Sequence, residues 1–253
     1  MLIRGVLVCA CLWLAVGIVA AAEIQVAVAS NFSRVVGILA ARFEATTGHR
    51  VAVIPGSTGK HYAQIRNGAP FDLFLAADAL HPRRLEERGL AIPGSRFTYA
   101  FGRLVLWSPR EDYVDDQGEV LENGEFRHLG IANPGLAPYG LAAREALESL
   151  GIWEGLQDRL VRGENIGQAF QFVASGNAEL GFVALSQVMT PEHGLTTGSI
   201  WRVPQELYTP IEQQAILVRD NAAAREFMDF LESAEARLII RDNGYRSPQD
   251  EAH

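Results

Sequence analysis

Apolar runs short enough for strands alternate with amphipathic runs long enough for helices along nearly the whole chain. That alternation restricts the fold to the α/β class and predicts largely parallel sheet. Strands are expected at Ile24–Val28, Val51–Ile54, Phe71–Ala76, Leu104–Trp107, Leu129–Ala132, Arg159–Arg162, Glu179–Leu185, Ile200–Val203 and Ile211–Val218. Helices are expected over 33–46, 61–66, 80–88, 139–150, 166–174, 222–231 and 234–242. In the first helix Val35, Val36, Leu39, Ala40 and Phe43 form one apolar stripe, and Gly48 is placed to end it. Residues 90–102, with Pro93, Gly94 and Gly102, read as a passage to a second unit, and 110–125 as an acidic loop of weak helical character.

Two of the strand-to-helix turns are rich in small hydroxyl and amide side chains: Ala29-Ser30-Asn31-Phe32-Ser33 and Gly56-Ser57-Thr58-Gly59-Lys60. The amides of a helix's first turn have no partner within the helix and carry the positive end of its dipole, so a small anion there meets several aligned donors. The same residues taken singly also suit ordinary helix caps. Asn133-Pro134-Gly135 leads to a third such turn at Pro138-Tyr139, and Gly163-Glu164-Asn165 to a fourth at Asn165-Ile166.

The chain of 253 residues opens with Arg4, an apolar run from Gly5 to Ala20 and Ala20-Ala21-Ala22 before Glu23, the three zones of a signal peptide cleaved after Ala22. Residues 1–22 are therefore read as leader. An uncleaved anchor, or a lipid on Cys11, fits those lengths less well. Cys9 and Cys11 leave with the leader, so the exported chain has no disulfide and no thiol chemistry. Its formal charge is −8, one unit more negative after Arg4 is lost. An acidic chain without basic clusters argues against nucleic acid and anionic membranes as partners. If it binds a small anion, it must do so by local dipoles against an unfavourable overall field.

The chain crosses out of its first unit near Phe101 and returns near Tyr208, which predicts a bilobal α/β protein with a cleft between the lobes. Residues 23–103 and 207–253 are assigned to lobe I and 104–206 to lobe II. Ligands of open α/β sheets sit beyond the carboxyl ends of the strands, and all four turns occupy such places, two in each lobe.

Six segments carry a resemblance: Val28-Ala29-Ser30-Asn31-Phe32; Gly56-Ser57-Thr58-Gly59-Lys60; Gly68-Ala69-Pro70-Phe71-Asp72-Leu73-Phe74-Leu75-Ala76-Ala77-Asp78; Ala132-Asn133-Pro134; Gly163-Glu164-Asn165-Ile166; and Glu179-Leu180-Gly181-Phe182-Val183-Ala184. In order and spacing they resemble the periplasmic molybdate-binding proteins of ABC importers, type II periplasmic binding proteins. The resemblance implies a periplasmic, monomeric receptor that holds molybdate, and tungstate with it, in the interlobe cleft and delivers it to a membrane-embedded ABC permease. It implies no cofactor, no catalysis and no residue that ligates a metal cation directly. Carried over, Ser30 and Asn31 donate from the first turn and Ser57 from the second. Tyr139 contributes through its amide or its phenol, and Ile166 through its amide. Some relatives place a ligand tyrosine where this chain has Ala184, and the Tyr139 phenol is the candidate replacement.

The same residues admit other readings. Ser57-Thr58-Gly59-Lys60 satisfies the S-x-x-K pattern of acyl-serine hydrolases, but Lys60 is the only lysine, so the K-T-G element of that set is missing. The two glycines are too close for a P-loop, and His61 stands where Ser or Thr is needed. The histidines at 49, 61, 81, 128, 193 and 253 show no metal-ligand spacing and read as surface residues. Ferric iron would need clustered anionic ligands, and phosphate keeps a proton that an all-donor pocket cannot accept. Sulfate accepts the same bonds as molybdate, and only cavity size separates them.

Overall fold

A computed structural model describes residues 21–192, 194–195 and 197–249. Most of the leader reading, with Arg4, Cys9 and Cys11, lies outside the described residues, as do His193 and His253. Along the chain run β1 (Glu23–Ala29), α1 (Ser33–Thr47), β2 (Arg50–Gly56), α2 (Thr58–Arg66), β3 (Leu73–Leu75), α3 (Leu80–Glu87) and β4 (Phe97–Gly102). There follow β5 (Leu104–Ser108), α4 (Val120–Asn123), β6 (Leu129–Ala132), α5 (Pro138–Ser149), β7 (Leu160–Gly163), α6 (Ile166–Ala174), β8 (Leu180–Ala184) and α7 (Leu185–Val188). The chain continues with β9 (Met189–Thr190), β10 (Gly194–Leu195), β11 (Ser199–Arg202), β12 (Ile211–Leu217), α8 (Ala222–Leu231) and α9 (Ala234–Asp242).

Two five-stranded sheets result, ordered β2-β1-β3-β12-β4 and β11-β5-β8-β6-β7. The chain leaves the first sheet through Arg103 alone and returns through residues 203–210, which makes the molecule bilobal with two crossings. The expectation of largely parallel sheet needs correction. Each sheet has two parallel and two antiparallel pairings. The reversed strands are β5 and β12, the two entered directly from the other lobe. Each begins at the cleft, where the neighbouring strands end, and without a crossover helix to carry the chain back it must run the other way.

Periodicity alone places α1. The side chains it buries are Val35, Val36, Leu39, Ala40 and Phe43, the larger of them worth about 1.5–3 kcal/mol each on burial. Gly48 ends the helix at φ +75°, its N–H donating to Glu44 O at 2.9 Å, a conformation that glycine adopts without a Cβ penalty. The passage at 90–102 is another correction, because Phe97–Gly102 pairs with β12 as the edge strand β4. Its alternating Phe97, Tyr99 and Phe101 were a strand signal masked by Pro93 and Gly94 just before them. Helix α2 begins at Thr58, three residues earlier than its apolar pattern suggests. The apolar core of the second lobe includes Ala29, Ala77 and Ile211 from the first-sheet side, so the lobes pack directly against each other.

Candidate functional site

In the first lobe, β1 turns through a single 3-10 turn, Ser30–Phe32, into α1. Ser30 Oγ accepts from the N–H of Gly167, in the other lobe, at 3.0 Å. Asn31 is buried and donates through Nδ2 to Gln213 Oε1 at 2.9 Å and to the Tyr245 hydroxyl at 3.0 Å. Ser57, 2% exposed, caps α2 by accepting the Lys60 N–H at 3.3 Å. Both serine oxygens act as acceptors in these bonds, which leaves each hydroxyl its own proton to donate. The cap reading and the anion reading of Ser57 are therefore compatible.

In the second lobe, Pro138 and Tyr139 open α5, and Ile166 opens α6 behind Asn165, whose Oδ1 accepts from Gln168 N at 3.0 Å. Tyr139 N–H and Ile166 N–H are first-turn amides of their helices. Gly140 lies so close to the Ala132 carbonyl that a side chain would overlap it. This close approach seats the start of α5 on the end of β6. The Tyr139 ring is buried, and its hydroxyl accepts from Gln213 Nε2 at 3.2 Å. Burial pushes the phenol well above its ordinary pKa, so it stays neutral at working pH.

The four turns meet across a closed seam. Gly59 N–H donates to Leu136 O at 2.9 Å, two residues before α5. Lys60 Nζ pairs with Glu164 Oε1 at 2.8 Å, two residues before Ile166. Arg34 donates to Ser186 O at 2.9 Å and Met189 O at 3.0 Å. These contacts, with the Gly167 N–H to Ser30 Oγ bond, hold the two lobes against each other. Two cavities flank the seam. One of about 550 Å³ is lined by Asp78, His81, Leu136, Leu141 and Glu212 among others. The other, of about 470 Å³, is lined by Ser30, Asn31, Arg34, Asn165, Gly167 and Ser186 among others. Ser57, Tyr139 and Ile166 line neither.

The Lys60 ammonium is half-exposed and paired with Glu164 rather than with Ser57, so it does not activate that serine as a nucleophile. Ala184 is buried; its N–H goes to Gln187 Oε1 at 2.9 Å, and Gln187 Nε2 reaches Ile166 O at 3.2 Å. Two histidines read as surface residues are buried, His49 at 6% and His61 at 2% exposure. His49 lies against the Phe43 ring with Nε2 3.3 Å from Glu226, and His61 packs edge-on to Phe71 and Phe74. Among the described residues, no three His, Asp or Glu side chains gather as a metal ion would require, and no helix is long and apolar enough to cross a membrane.

Gly167, Gln213, Tyr245 and Ser186 escaped the sequence reading, although each is bonded to a candidate residue or its turn. For Gln213 a signal existed. Gln213-Gln214 is a polar pair inside an otherwise largely apolar strand, and Gln213 is fully buried.

Two α/β lobes joined by two crossings and shut on a seam of helix starts define a periplasmic-binding-protein fold. The bacterial extracellular solute-binding protein family matches residues 24–246. The chain is 53% identical over 228 residues to the molybdate-binding protein ModA of Azotobacter vinelandii, covering 89% of this chain and 90% of the relative. It is 48% identical over 229 residues to the molybdate-binding protein ModA of Rhodobacter capsulatus, covering 89% of each. The solved structure of an Azotobacter vinelandii periplasmic molybdate-binding protein superposes with a TM-score of 0.87 at 44% identity, covering 90% of this chain and all of that one. The chain belongs to the bacterial extracellular solute-binding proteins, whose role is binding and not catalysis.

Proposed function

We propose that this protein is an extracytoplasmic receptor that captures molybdate, and tungstate with it, between its lobes and hands it to an ABC permease. The observation that carries the reading is the meeting of four helix starts bearing neutral donors across one shut seam. The relatives at 53% and 48% identity, both molybdate-binding by name, support the choice of ligand. Ser30 and Ser57 donate through their hydroxyls. Asn31, whose carboxamide is spent on Gln213 and Tyr245, donates through its main-chain N–H. Tyr139 and Ile166 donate through their first-turn amides, and the Tyr139 phenol oxygen accepts from Gln213 Nε2.

A tetrahedral dianion suits this set, since it accepts from every side and brings no proton of its own. The seam's cations are engaged elsewhere, Lys60 by Glu164 and Arg34 by main-chain carbonyls, which leaves dipoles and neutral donors to hold the charge. The exported form begins after Ala22 and acts as a monomer, and ligand favours the shut state because only that state offers both lobes' donors.

Thermal unfolding with molybdate, tungstate, sulfate and phosphate at matched concentration tests the reading, because a ligand of the folded form stabilises it by RT ln(1 + [L]/Kd). Molybdate and tungstate should raise the midpoint by several degrees and the other two should not. An equal shift with sulfate would make this a general oxyanion receptor, and no shift with any of them would refute the proposal.

A further inference from the structure

Gln213 lies within β12 with none of its surface exposed. A carboxamide is tolerated at that depth only when its hydrogen bonds are made, and the partners here come from both lobes. Its Oε1 accepts from the Tyr99 hydroxyl at 2.9 Å and from Asn31 Nδ2 at 2.9 Å, both on the first-sheet side. Its Nε2 donates to the hydroxyl of Tyr139, at the start of α5 in the other lobe, at 3.2 Å.

Two neighbours show how closely this link is built. Asn31 Oδ1 is buried without a partner, so the Asn31 carboxamide is held by its two donor bonds alone, to Gln213 and to Tyr245. Gly102, the last residue of β4 before the crossing, faces the same place. A methyl group there would overlap the Tyr139 phenol oxygen and come within 2.7 Å of Gln213 Nε2. The phenol can reach Gln213 only because residue 102 has no side chain.

We propose that Gln213 is a positioning residue for the bound anion: one buried carboxamide ties the Asn31 turn of one lobe to the Tyr139 helix start of the other and holds the two at their closed-cleft separation. This rests on the ligand reading above, in which Asn31 and Tyr139 both donate main-chain N–H groups. Gln213 touches no ligand itself. It acts by raising the closed fraction, and apparent affinity scales with the fraction of molecules already competent to bind.

The test is isothermal titration with molybdate on the mature chain, with ligand-free unfolding midpoints, for wild type, Gln213→Leu, Tyr139→Phe and the double variant. Tyr139→Phe removes only the far end of the link and keeps the amide, and should weaken binding about threefold to tenfold, the range of one neutral hydrogen bond. Gln213→Leu should weaken it by about tenfold or more, since it strands several partners. The double variant should be no weaker than Gln213→Leu alone, because both changes cut one link. Additive losses would mean that the phenol contacts the ligand directly, and would overturn the proposal. A lowered midpoint with wild-type affinity in Gln213→Leu would reduce the residue to a structural part and overturn it as well. If Gln213→Leu does not fold, Tyr139→Phe decides alone, and wild-type affinity there refutes the link. If the wild type binds no molybdate, the ligand reading fails separately. The link is then read from the ligand-free radius of gyration, which Tyr139→Phe should increase and which, unchanged, overturns it.

Discussion

Replacing Ser57 by alanine removes a hydroxyl with two duties whose energies separate. As a cap, its oxygen accepts the Lys60 N–H at 3.3 Å. Losing an N-cap costs about 0.5–2 kcal/mol of stability, and so long a bond places this one toward the low end. In the proposed site its proton serves a dianion from a position only 2% exposed. A hydrogen bond to a charged group is worth about 1.5–3 kcal/mol, so Kd for molybdate should rise by about tenfold to a hundredfold. Titration calorimetry gives that change, and the ligand-free midpoint should fall by only a few degrees. An unchanged Kd with a lowered midpoint would show that Ser57 is a cap and nothing more, and the neutral-donor account would be wrong at its most buried hydroxyl.

Lys60→Ala should behave differently in the same titration. Its ion pair with Glu164 is half-exposed and worth at most about 1 kcal/mol, so any weakening should be small and should vanish as salt is raised. Loss of binding in Lys60→Ala would mean that a full charge holds the ligand. Gly140→Ala should destabilise the protein by about 1–3 kcal/mol in urea unfolding, because the new methyl overlaps the Ala132 carbonyl and displaces the start of α5. A stability within error of wild type would remove that close approach as a constraint. For His61, burial holds the imidazole neutral and lowers its pKa from 6.5, while Gln64 Oε1 is 3.0 Å from Nδ1 and Nε2 has no partner. As pH falls below about 6.5 the unfolded chain takes up this proton and the folded chain does not. Stability is therefore full above that pH and declines toward the folded pKa, and His61→Gln should flatten this stretch of the midpoint profile. Identical profiles would exclude His61 as its cause.

The candidate site was legible in the sequence to the extent that it is local. A helix start is written in a few consecutive residues, so Ser30-Asn31, Ser57, Pro138-Tyr139 and Asn165-Ile166 could be picked out as turns offering free amides. The stripe on α1 and its stop at Gly48 are local for the same reason. What could not be read this way depends on which segments meet. His61 is polar and lies in a short helix, yet Gly56, with no side chain to keep the ring out, lets it sink against Phe71 and Phe74. The aromatic alternation at Phe97–Gly102 becomes a strand only because β12, over a hundred residues away, supplies its hydrogen-bonding partner.

The sequence by itself determined the α/β class, the places where helices start and the small neutral side chains at those starts, because each follows from propensity and spacing within one stretch of chain. Tertiary structure alone decided the reversal of β5 and β12, the bond between the Tyr139 phenol and Gln213, and the pairing of Lys60 with Glu164. Those outcomes depend on distances between residues tens to more than a hundred positions apart, and such distances exist only once both lobes have packed and the seam between them has shut.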